Sequence, residues 1–83
     1  MRRRRLLFRA WHRGTREVDL ITGRFADAHI GTLSEDDLGE FERLMEVPEQ
    51  DLYGWVTGSI ETPEPYDTAF FHRLRAFHLG GAA

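Results

Sequence analysis

Apolar residues recur along this chain at helical spacing, in five blocks separated by glycine, proline or clustered charge. The first block, RRRRLLFRAWH, sets Leu7 and Trp11 four residues apart with Ala10 on the same face, and Gly14 is the expected stop. The second, TREVDLITGRFADAHI, carries Val18, Ile21, Phe25 and Ala28 as one stripe behind a Thr15 cap and ends over His29 to Gly31. Its Gly23 costs about 1 kcal/mol of helix propensity relative to alanine and leaves room for a closely packed neighbour.

The third block, LSEDDLGEFERLMEV, is the best signalled. Ser34 with Asp37 resembles a capping box, and Leu33 and Leu38 stand where a hydrophobic staple would. Glu35, Asp36 and Asp37 load the first turn with the charge that a helix N-terminus favours, and Leu38, Phe41, Leu44 and Met45 supply the buried face. A fourth, shorter helix starts near Pro48 and buries Leu52, Trp55 and Val56. Within it, YGWVTGSI is the one stretch with enough Tyr, Trp, Val and Ile to read as a strand instead. After the connector ETPEPYD comes a fifth helix, with Asp67 as its expected cap and Phe70, Leu74 and Phe77 along one face. Phe71 falls off that stripe and is expected to be exposed and open to a partner. The pattern predicts an all-α, antiparallel bundle of about five helices. It forms one domain over residues 1–83, with flexible ends at about 1–4 and 80–83.

Composition narrows the function classes. A chain of 83 residues buries only about 60–65% of its unfolded surface, so its single core is too small to enclose a large substrate cavity. There is no cysteine, which excludes disulfides and thiolate metal sites and fits a reducing cytoplasm. No apolar run reaches transmembrane length and no secretory signal is recognisable, so the expected location is cytoplasmic, without membrane insertion. The net charge of −3 conceals an asymmetry: seven of the eleven arginines lie in residues 1–16, where there is no acid, and all 14 acids follow. A basic end on an acidic body points to an internal electrostatic contact or to a bipolar binding surface. The acidic body argues against nucleic acid as a partner of the Arg2–Arg5 run, since phosphates would be repelled.

Chemistry-bearing constellations are sparse. His12, His29, His72 and His78 have no pair at i, i+3 or i+4, so no metal site is expected. Glu17 and Asp19 are two apart on a helix and point about 200° away from each other, which removes a shared acid/base site. With no phosphate-cradling glycine loop and no local nucleophile–base set, an enzyme is not expected. The stretch HRGTREVD remains. One reading is a solvated joint, with local pairs such as Arg13–Glu17 or Arg16–Asp19. The other is a docking surface, in which Gly14 lets a partner backbone approach and Arg13, Arg16, Glu17 and Asp19 supply directional contacts around it.

RGTREVD, then GRFAD, then LSEDDLGEFERLMEVPEQDLYGW together resemble the small assembly-factor family of succinate dehydrogenase, over about Leu6 to Leu79. The RGxxE core is short; its specificity comes from the spaced block that follows. The resemblance implies a five-helix bundle and a chaperone-like factor that promotes covalent flavinylation of the flavoprotein subunit. It also implies a functional surface at Arg13, Gly14 and Glu17, with Asp19 beside them. The implied partner is the flavoprotein subunit of succinate dehydrogenase, with that of fumarate reductase as a further client. FAD would be carried by the partner, whose own histidine attacks the flavin, and no cofactor would be bound firmly by this chain. A regulatory or antitoxin-like adaptor is the alternative function. The resemblance assigns no role to the Arg2–Arg5 run.

Overall fold

The computed structural model describes residues 1–80 and places five α-helices in them: α1 (Arg2–Ala10), α2 (Arg16–His29), α3 (Glu35–Leu44), α4 (Glu49–Thr57) and α5 (Ala69–His78). A single 3-10 turn, Glu64–Tyr66, lies in the proline-rich connector, and no strand occurs among the described residues. The stretch that could have been a strand is therefore helical through Thr57, with Gly58 closing α4 in a left-handed conformation.

The caps explain where the helices begin. Thr15 and Ser34 accept backbone N–H bonds from Val18 and Asp37, at 3.4 and 3.1 Å. At α5 the expected Asp67 cap is corrected to Thr68, whose extended backbone lets its hydroxyl accept from Phe71 N at 3.1 Å. Asp67, one residue too early for that role, pairs with His72 instead.

Helix α2 touches α1, α4 and α5, and α5 touches α2, α3 and α4. Phe25 of α2 is the centre of the core, with Phe41, Phe70 and Phe77 edge-on to it at centroid distances of 5.7, 5.5 and 5.5 Å. Such pairs add about 0.5–1.5 kcal/mol each beyond area burial. Because α5 packs against three helices, its apolar arc is wider than the stripe suggested. Phe71, expected to be open to a partner, is 1% exposed and faces Trp55. On α2 the buried stripe is Val18, Ile21 and Phe25 with Ala26, while Ala28 faces solvent. On α1 the buried residues are Leu6 and Ala10; Leu7 is half-buried. Trp11 lies past the last turn and covers Gly23, where a Cβ would fall 2.3 Å from its ring. Its indole N–H donates to Asp27 at 3.1 Å.

The charge asymmetry is used in part internally. Arg2 reaches both carboxylate oxygens of Glu42, at 3.0 and 2.8 Å, and also Glu35; Arg9 pairs with Glu46 at 2.7 Å. These ion pairs bridge the basic α1 to the acidic α3 and to the turn after it. Where the sequence suggested a loose end over residues 1–4, helix begins at Arg2 and Arg3 donates to the carbonyl of Ile30 at 2.6 Å. Arg4 and Arg5 point into solvent. The expected C-terminal fraying lies, from residue 81 onward, outside the described residues.

Candidate docking surface

The joint between α1 and α2 is built from both ends. Helix α1 stops at Ala10, four residues before Gly14, and Trp11 caps it in a helical conformation. Thr15 then starts α2. Between them Gly14 has φ +118°, a backbone conformation that side chains rarely tolerate. Thr22, fully buried, sets its hydroxyl 2.5 Å from the Ala10 carbonyl and 3.0 Å from that of Val18, tying the end of α1 to α2.

Arg13 does not point outward. Its guanidinium donates to the backbone carbonyls of Met45 and Val47, in the turn between α3 and α4, and its backbone N–H donates to Asp19 Oδ1 at 2.6 Å. Its Nε is buried without a hydrogen-bond partner. Burial lowers the Arg13 pKa below its ordinary value; Glu49, Glu46 and Asp19 pull it back up, while Arg9 adds to the lowering. The suggested local pairs, Arg13–Glu17 and Arg16–Asp19, do not form among the described residues: the Arg13 guanidinium is engaged by the Met45 and Val47 carbonyls, and Asp19 by the Arg13 backbone N–H. The structure thus makes Arg13 a strut between two loops, with Asp19 bracing it.

Gly14 is also not the bare spot that the sequence suggested. The carboxylate of Glu49, at the start of α4, lies over it, and a Cβ at Gly14 would fall 2.5 Å from Glu49 Oε1. Two open grooves flank this contact. One, of about 540 Å³, runs between the joint and α4 and is lined by Thr15, Glu17, Val18, Glu49, Gln50 and Tyr53. The other, of about 570 Å³, includes Trp11, His12, Arg16, Asp19 and Leu20. Glu17 and Asp19 therefore line different grooves, as their helical spacing requires. Of the five sequence-identified residues, Gly14, Arg16 and Glu17 are exposed, whereas Arg13 and Asp19 are partly buried.

Sequence reasoning passed over Glu49, Gln50 and Tyr53 as part of this surface. The signal was present: with Leu52, Trp55 and Val56 turned inward, positions 49, 53 and 50 fall within about 100° of one another on the arc of α4 next to that face. Tyr53 is 41% exposed there. No group of three or more His, Cys, Asp or Glu side chains among the described residues is arranged to hold a metal. No described helix is long and apolar enough to cross a membrane.

A family model described as "Flavinator of succinate dehydrogenase" matches residues 4–78, which takes in α1 from Arg4 onward, the joint and the other four helices whole. The chain belongs to this flavinator family. Among its relatives, the FAD assembly factor SdhE of Acetobacter pasteurianus is 40% identical over 73 residues, covering 88% of this chain and 67% of the relative. The mitochondrial succinate dehydrogenase assembly factor 2 of Dictyostelium discoideum is 35% identical over 66 residues, covering 80% of this chain and 47% of the relative. That of Danio rerio is 33% identical over 79 residues, 93% of this chain and 50% of the relative. This flavinator chain thus spans about two thirds of the bacterial relative and about half of these mitochondrial ones. No solved structure matches it.

Proposed function

We propose that this chain is a cytoplasmic assembly factor that binds the flavoprotein subunit of succinate dehydrogenase and promotes covalent attachment of its FAD, with the flavoprotein of fumarate reductase as a second client. The observation that carries this reading is the family match across residues 4–78, which includes the joint and both grooves. The contact face is formed by Gly14, Arg16 and Glu17 together with Glu49, Gln50 and Tyr53. Arg13 and Asp19 hold that face in shape from behind.

The chain acts by binding rather than by bond-forming chemistry. Glu17 and Asp19 face different grooves, so they offer no shared acid/base site. A partner that binds one arrangement of the flavoprotein more tightly than another raises the population of that arrangement by its differential affinity. If the favoured arrangement aligns the flavin with the flavoprotein's own nucleophile, attachment accelerates without a catalytic group from this chain. FAD stays with the flavoprotein: Glu17 and Glu49 wall the groove beside Gly14, and their negative charge opposes a pyrophosphate.

The test is co-expression of a flavoprotein subunit with and without this chain, read by in-gel flavin fluorescence after denaturation. Covalent fluorescence is expected to rise when the chain is present. Equal fluorescence in both lanes refutes the reading, and copurification with an unrelated protein instead would favour the adaptor alternative.

A further inference from the structure

We propose that the groove between the 14–17 joint and α4 receives one arginine side chain of the partner, held between the carboxylates of Glu17 and Glu49 and against the ring of Tyr53. This deepens the function proposed above and rests on it for the partner's identity, but not for the chemistry of the groove.

Size comes first. The groove, of about 540 Å³, is open to solvent and is walled by only two short segments, residues 15–18 and 49–53. It suits a side chain and its flanking backbone rather than an inserted element.

Charge comes second. Along α3 and just beyond it, Glu35, Asp37, Glu40, Glu42 and Glu46 each have an arginine of this chain. Glu17 and Glu49 have none within ion-pair distance among the described residues. Arg13, whose pKa Glu49 raises from a distance, directs its terminal donors to the carbonyls of Met45 and Val47. Two carboxylates facing one groove repel each other and favour an incoming cation.

Shape decides between the two cationic side chains. A guanidinium is planar, can donate to two carboxylates from different edges, and stacks on an aromatic ring, whereas an ammonium is a strongly hydrated point charge. Tyr53 supplies a half-exposed ring on the α4 wall, and the Gln50 amide adds an acceptor beside it. Gly14 also acquires a role here: the absence of its side chain is what allows the Glu49 carboxylate to sit at the groove's edge.

The test has two arms. In the first, the full chain is titrated with the peptide Ac-Gly-Arg-Gly-NH2 and followed by 1H–15N amide shifts. Shifts are expected to cluster at residues 15–18 and 49–53. Binding should weaken at least fivefold for the uncharged citrulline peptide and at least threefold for the lysine peptide, and should be lost in the Glu17→Gln/Glu49→Gln double variant. Equal binding of the citrulline or lysine peptide, or shifts centred elsewhere, overturns the proposal. In the second arm, the double variant replaces wild type in the flavin-fluorescence assay over a range of factor concentrations. A several-fold higher concentration for half-maximal flavinylation is expected, and an unchanged curve overturns the groove's role. Failure of the wild-type chain to raise flavinylation would count against the proposed function alone, since the peptide arm does not depend on it.

Discussion

Gly14→Ala separates backbone strain from surface bulk at the joint. The residue has φ +118°, well beyond the left-handed helical region centred near +57°. Holding an L-residue in such a sparsely populated region costs about 1–3 kcal/mol. Alanine also restricts the unfolded chain, which offsets about 0.4–1 kcal/mol of that loss. The new Cβ would fall 2.5 Å from Glu49 Oε1, but that contact is with the tip of a flexible side chain, which can swing away cheaply. The net expectation is a loss of about 1–2 kcal/mol, or roughly 5–15 °C in Tm for a domain of this size. Total stability of such a domain is on the order of 4–12 kcal/mol, so the variant remains folded. Urea unfolding followed by circular dichroism measures the loss. A double-mutant cycle with Glu49→Ala should show coupling below about 0.5 kcal/mol, because the strain resides in the backbone. A Gly14→Ala variant within 0.3 kcal/mol of wild type would refute the argument. Gly14→Arg should lose a similar amount of stability but far more docking, so bulk is read from the difference between the two variants.

Gly23→Ala should destabilise by about 1–2 kcal/mol despite alanine's better helix propensity, because its Cβ must displace the Trp11 ring and break the Trp11–Asp27 bond. A red-shifted tryptophan emission accompanying the loss checks the cause, and an unchanged spectrum with raised stability would contradict it. Ser34→Ala removes the α3 cap and should cost about 1 kcal/mol in urea unfolding, with an effect near zero as the contrary result. The hydrogen bond and charge of Arg2 hold the Glu42 carboxyl below the usual carboxylate range. Stability from that pair is complete above the ordinary glutamate value of about 4.3 and drains away as pH falls through the lower folded value. Glu42→Gln should therefore flatten the acid side of the stability–pH curve, and a slope equal to wild type below about pH 4 would exclude the linkage.

Legibility varied with the range of the interaction. The caps at Thr15 and Ser34 and the apolar faces of α3 and α4 were readable because each depends on neighbours within one or two turns. The cap at α5 was misplaced by one residue, since adjacent Asp67 and Thr68 are both good caps and only the backbone course of the connector decides between them. Phe71 was misjudged for another reason: periodicity describes one face, and α5 packs against three helices. At the joint the sequence marked the charged stretch that falls between α1 and α2 and separated Glu17 from Asp19. It could not reveal that Arg13 turns inward to carbonyls more than thirty positions away, or that Glu49 covers Gly14.

Helix number, their approximate limits and the polar joint between the first two are consequences of local spacing, capping chemistry and glycine, and the chain's sequence determined them alone. Which charges stay available to a partner was decided only by tertiary structure. A guanidinium or carboxylate can reach several neighbours, and its choice depends on which backbone carbonyls and opposite charges the packed helices bring within hydrogen-bond range. Packing placed the α3–α4 turn against Arg13 and the first turn of α4 over Gly14, leaving Glu17 and Glu49 together on one open groove.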